Sequence, residues 1–169
     1  FSMLLVDAHV HVYHCFDLDD FIRSAIANFQ AAARALGGPG EHCPILVLTD
    51  WFKQTWFEDF RRCVDDRDLS RRMGVPAWRF QATPDPEALM IAGPAGEGLY
   101  LLAGRKIISE ENLEVLALGT THRFQDGMPL AATLETIAQA PGAPIPGSLV
   151  LLGSGILALL GIGIRSKSA

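Results

Sequence analysis

Charge stops near the end of this chain. The last acidic residue is Glu135, and from Pro141 to Ile164 there is no charged residue at all. A globular domain needs charged and polar groups to solvate its outside, so a folded body is expected within residues 3–140. The remainder, 141–169, is expected to behave as a tail of a different kind. Leu149 to Ile164 is apolar or small throughout and would span about 24 Å as a helix. Adding Ile145–Ser148 brings it near the roughly 30 Å of a hydrocarbon core. Glycines at 153, 155, 161 and 163 weigh against an ordinary soluble helix, each costing about 1 kcal/mol relative to Ala. A single membrane helix over about 147–164, capped by Arg165 and Lys167, is therefore preferred over a buried core helix or strand pair.

The body is long enough for one domain with a real core. Of the 169 residues 49% are hydrophobic, which excludes general disorder, and a complete β/α barrel needs roughly 200 residues or more. With 19 acidic against 14 basic residues the formal net charge is −5, so no nucleic-acid footprint is expected. Three cysteines, Cys15, Cys43 and Cys63, do not make a disulfide scaffold. The apolar run Met3–Val6 is stopped by Asp7, with no basic residue before Arg23, so no secretory leader is visible in these residues. The body reads in this respect like a cytoplasmic protein, associated with a membrane only through its tail.

Periodicity supplies the elements. Leu4–Val12 alternates as a strand, with Leu5, Asp7, His9 and His11 expected on one face. A helix follows, capped by Asp17, stapled by Phe16 on Phe21, and stopped by Gly37-Gly38-Pro39-Gly40. Pro44–Leu48 is a short strand of the kind buried on both faces. Thr55 and Glu58 form a capping box for a short helix through Cys63. Trp78–Ala82, Ala88–Ala92 and Leu99–Ile108 read as short strands of an antiparallel insertion. Leu113–Leu118 is a further strand, and a helix starts at Pro129 with Leu130, Leu134 and Ile137 on one face.

The chemistry is concentrated in Asp7-Ala8-His9-Val10-His11. Residues i and i+2 of a strand share a face, so His9 and His11 can address one divalent metal, with Asp7 as ligand or support. Such an ion lowers the pKa of a bound water toward neutrality. Imidazole suits Zn, Mn and Fe, and carboxylate suits Mn best. The motif lies at the carboxyl end of the first strand of a β-α-β run, where ligand sites of such folds gather. Asp50, Glu114 and His122, each at or near a strand end, are weaker candidate ligands.

Val6-Asp7-Ala8-His9-Val10-His11 resembles the first strand of metal-dependent hydrolases of the PHP (polymerase and histidinol phosphatase) type, related in style to amidohydrolases. Ala103-Gly104-Arg105-Lys106-Ile107 followed by Leu113–Gly119 is a weaker echo. The resemblance implies an α/β fold, a partial β/α-barrel-like domain over 3–140 with a small antiparallel β insertion, plus a C-terminal apolar helix. It implies hydrolysis of a small-molecule substrate, often a phosphoester, by bound divalent metal. Lys106 stands where the family usually has Glu, Leu116 where it often has His, and no His follows residue 140. The expected domain is thus truncated or degenerate.

The tail resembles a bacterial PEP-CTERM sorting signal, in which a Pro-x-Pro motif precedes a marginal membrane helix and a basic end. Pro144, Pro146 and Gly147 carry the motif here, and an exosortase is the partner it implies. The alternative to a hydrolase is therefore a non-catalytic, membrane-anchored or exosortase-sorted protein.

Overall fold

A computed structural model describes residues 3–37 and 42–140, and the backbone of 151–153. The elements are β1 (Met3–Val10), α1 (Leu18–Ala35), β2 (His42–Asp50), α2 (Trp56–Arg62), α3 (Arg67–Arg72), β3 (Arg79–Ala82), β4 (Ala88–Ala92), β5 (Gly98–Ile108), β6 (Glu114–Leu118), α4 (Leu130–Gln139) and β7 (Leu151–Gly153).

Helix starts follow from local chemistry. Asp17 accepts the Asp20 N–H at 3.0 Å, and Phe16 stacks on Phe21 with centroids 6.4 Å apart. Gly37, at φ +73°, ends the turn after α1. The helix α3, capped by Asp66 on the Leu69 N–H, was not expected, because Arg67–Arg72 is too polar to show an apolar stripe.

The sheet overturns the partial-barrel expectation. Its seven strands form one mixed sheet in the order β1-β2-β5-β4-β3, with β6 also on β5 and β7 on β6. Only β1, β2 and β5 run parallel; every other pairing is antiparallel. A β/α barrel requires a helix crossover between successive parallel strands. Here β3, β4, β5 and β6 follow one another through short connections, so hairpins replace crossovers. The strands expected as an insertion instead belong to this one sheet, with β5 at its centre and β3 at its edge.

The strand β5 organises this arrangement. One of its edges pairs with β2 from Tyr100 to Arg105. Its other edge takes β4 along Gly98–Leu102 and then β6 along Gly104–Ile108. Gly104 sits where the two partners change over. A Cβ there would lie 3.0 Å from the Leu48 carbonyl oxygen, 3.0 Å from Val47 Cγ1 and 3.3 Å from the Ala117 carbonyl oxygen. Gly104→Ala should therefore destabilise the fold by about 1–3 kcal/mol, read as a lower urea midpoint at unchanged m-value. An unchanged midpoint would show that the strands separate freely.

The expected apolar C-terminal helix is not found either. Leu151–Gly153, inside its range, is a strand antiparallel to Leu116–Glu114. The rest of 141–169, including Pro144, Pro146 and Gly147, lies outside the described residues. Among the described residues no helix is long and apolar enough to cross a membrane. The edge of β6 that a truncated barrel would leave open is occupied by β7.

The helices share one face. Leu101 and Ala103 pack in the main core with Ile22, Ile26, Phe29, Phe57 and Phe60, and Ile107 packs in a second core with Phe124 and Ile137. These β5 positions alternate, so α1, α2 and α4 cover the same side of the sheet. Among the described residues the opposite face carries no helix.

Candidate metal centre

The sequence assigned Leu5, Asp7, His9 and His11 to one face, and the structure breaks that set. The β1–β2 register advances from Asp7↔Leu46 to Val10↔Leu48, three steps against two, so β1 carries a bulge. Its effect is visible in the core: Leu5, Val10 and Val12 all pack against it, although 5 and 10 have opposite parity in a regular strand. Beyond the bulge Val10 and Val12 face the helices. His9 and His11 therefore face the helix-free side. Asp7 borders a cleft with Phe21, Ala25 and Phe29 of α1 and, among the described residues, accepts only the His9 backbone N–H, at 3.4 Å.

Glu114 takes the place expected for Asp7. His9, His11 and Glu114 each present one ligand atom, and the three atoms lie within 4.8 Å of one another. His9 Nε2 is 3.0 Å from His11 Nε2 and 2.8 Å from Glu114 Oε1. Val115 and Ala117 pack in the second core, so Glu114 and Lys106 stand on the helix-free face with the histidines. In a flat sheet β1 and β6, separated by β2 and β5, would be about 14 Å apart. Twist and two long side chains close the gap. Lys106–Ile108 also extend β5 past the end of its pairing with β2, which brings the start of β6 clear of β2.

The imidazole of His11 is oriented from behind. Its Nδ1 is 2.8 Å from the Thr49 carbonyl oxygen, which can only accept, so Nδ1 carries the proton and Nε2 offers a lone pair toward His9. Burial holds His11 below the usual histidine pKa, further lowered by His9 and Lys106, which keeps that lone pair free near neutrality. Glu114 Oε2 accepts from Lys106 Nζ at 2.7 Å. Glu114 Oε1 is buried and has no aligned hydrogen-bond donor, despite its closeness to His9 Nε2. A buried carboxylate oxygen without a donor is costly and suits a cation.

The donor set fits one divalent ion. Tetrahedral ligands at about 2.0–2.1 Å stand roughly 3.4 Å apart. Two of the three separations, 3.0 and 2.8 Å, reach that value by opening a few tenths of an ångström, and the third, between His11 and Glu114, lies within 4.8 Å. Two imidazoles and one carboxylate leave a fourth position open, the arrangement of catalytic rather than structural sites.

The other candidate ligands serve the fold. Asp50, 2% exposed, accepts the Phe57 N–H at 3.1 Å and lies 3.9 Å from Arg105 Nη1. It does at the start of α2 what the expected capping box does not, since Thr55 turns to Asp59 and Glu58 to Arg105. Burial pushes Asp50 up to about 6 against the lowering effects of Phe57 N–H and Arg105. The folded state thus binds this proton more tightly than the unfolded chain, and its contribution to stability is lost as pH rises through 6. Asp50→Asn should retain the cap and flatten the stability profile between pH 4 and 8; an unaltered profile would remove Asp50 as its source. His122 is exposed, with its backbone N–H on Thr120 Oγ1 and its ring edge-on to Phe124.

Two contributors were missed by sequence reasoning. The Thr49 carbonyl is invisible because any residue supplies one. Lys106 was noted only as a departure from a pattern, and its pairing with Glu114 needs the β5–β6 register. No family model, curated protein or solved structure matches the chain.

Proposed function

We propose that the chain is a metal-dependent hydrolase-type domain in which His9, His11 and Glu114 hold one divalent ion, Zn, Mn or Fe. The observation that carries this reading is the convergence of three ligand atoms from β1 and β6, with Glu114 Oε1 buried and lacking a donor. An ion held there supplies Lewis-acid activation of water near neutral pH. The chain's own groups do the rest. Thr49 holds the His11 tautomer, Lys106 neutralises the second Glu114 oxygen, and the helix-free face leaves access to the open position. The location, at the carboxyl ends of the parallel strands, is where such sheets bind ligands.

Metal analysis of protein purified without chelator, followed by titration with Mn²⁺ and Zn²⁺, tests the reading. One equivalent is expected. Glu114→Gln should weaken binding by at least about 10–100-fold, the loss that follows even from disturbing a ligand's support. Uptake of no metal by the unaltered protein would sink the proposal.

A further inference from the structure

We propose that Lys106 confines an ion at the His9–His11–Glu114 site to a single oxygen of Glu114, and so makes the site select four-coordinate Zn²⁺ over six-coordinate Mn²⁺. The inference rests on the metal reading above and narrows the ion that reading names.

Lys106 and Glu114 meet diagonally across two strands. Glu114 stands opposite Ile108 in the β5–β6 register, and Lys106 stands opposite Leu116. The two side chains are therefore diagonal neighbours on one face, within reach because lysine is long. Both are largely withdrawn from water, at 24% and 21% exposed. Their 2.7 Å contact has the length of a charge-assisted hydrogen bond. Partial burial protects it from screening by salt.

The two oxygens of Glu114 are thereby given different tasks. Oε2 is taken by the ammonium. Oε1, buried and without an aligned donor, is 2.8 Å from His9 Nε2. A carboxylate can hold a cation through one oxygen or through both. Chelation by both would require Oε2 to leave Lys106. Among the described residues Lys106 makes no other ion pair, so its ammonium would be left half-buried without a partner.

The protein thus offers one atom each from His9, His11 and Glu114. With water in the open position the shell holds four ligands. Zinc is satisfied by four such ligands in a tetrahedron. Manganese favours six, mainly oxygen, and gains more from a chelating carboxylate.

Charge points the same way. Imidazoles ligate in the neutral form, so with one carboxylate and one ammonium the site carries no net charge. Asp7, which could have added a negative charge, borders the α1 cleft instead. An ion held mainly by charge and oxygen loses most from this balance. An ion bound strongly by imidazole nitrogen loses least, and affinity for such donors rises from manganese to zinc.

Competition titration of the full chain with Zn²⁺ and Mn²⁺, together with the visible spectrum of Co²⁺-loaded protein, tests the selection. The unaltered protein should take up one equivalent of Zn²⁺ in excess Mn²⁺. Its Co²⁺ spectrum should show the intense absorption of four-coordinate cobalt. Lys106→Met keeps an aliphatic stem and frees Oε2. It should lower the ratio of Zn²⁺ to Mn²⁺ affinity by about tenfold, the scale of altering a ligand's hydrogen-bond partner, and weaken the Co²⁺ absorption as coordination rises. If the variant does not fold, the Co²⁺ spectrum of the unaltered protein decides by itself. An unchanged ratio in folded Lys106→Met, or the weak absorption of six-coordinate cobalt in the unaltered protein, would overturn the selection and leave the metal reading standing. Uptake of none of the three ions by the unaltered protein would sink the metal reading and the selection with it.

Discussion

Arg105→Met should destabilise the protein by roughly 3–5 kcal/mol, the usual cost of removing one partner from a buried charged network. Arg105 is 3% exposed. Its Nε and Nη2 donate to the Thr121 carbonyl at 3.1 and 2.9 Å, and its Nη1 to the Gln54 carbonyl at 3.1 Å. Nη2 also pairs with Glu58, and Asp50 lies 3.9 Å away. Methionine fills the volume but leaves the Glu58 carboxylate and two carbonyls without their donor, and takes the counter-charge away from Asp50. For a domain of this size the loss corresponds to about 6–20 °C in midpoint. Adding Glu58→Gln to the variant should recover part of it, because the orphaned charge is then gone. Arg105→Lys should restore less than the full amount, since an ammonium lacks the planar fork that reaches Thr121, Gln54 and Glu58 together. Urea unfolding of the four proteins decides it. A loss below about 1 kcal/mol would mean that water takes over the guanidinium's bonds.

The second large effect is on metal. His9→Ala/His11→Ala should abolish stoichiometric binding, because it removes two of the three ligand atoms and leaves Glu114 paired with Lys106 alone. Stability should fall by about 1 kcal/mol, the scale of the lost His11–Thr49 hydrogen bond, since His9 is exposed. In the unaltered protein, uptake should fall as pH drops through the histidine range, since only neutral imidazole ligates. Burial lowers the His11 pKa below 6.5, so its share of that loss falls below pH 6.5. Equal metal content in the double variant and the unaltered protein would place the ion elsewhere.

How much of this was legible in the chain differs by level. The strands β1, β2, β4, β5 and β6 and the helices α1 and α4 announce themselves, because alternation, helical stripes, the Asp17 cap and the Gly37 stop are local events. His9 and His11 are likewise legible as a pair, since two positions two apart on a strand share a face whatever the strand packs on. Their partner was not. The bulge after Asp7 is a register event between β1 and β2, and it turns Asp7 away from the histidines. Glu114 enters because β5 outruns β2 and carries β6 into reach of β1.

The sheet's topology also lay beyond the sequence. A βαβα opening is shared by barrels and open sheets, and nothing in Arg79–Leu118 states that its strands return by hairpins to both halves of one β5 edge. The same holds at the start of α2. Thr55 and Glu58 spell a capping box, yet Glu58 bonds better with a buried guanidinium, and Asp50 caps from the end of a strand. The sequence by itself determined most of the strands and helices, α3 and β7 excepted, and that two imidazoles would stand together. Tertiary structure alone decided which carboxylate joins them, because strand register and the competition between hydrogen-bond partners are settled only when distant segments meet.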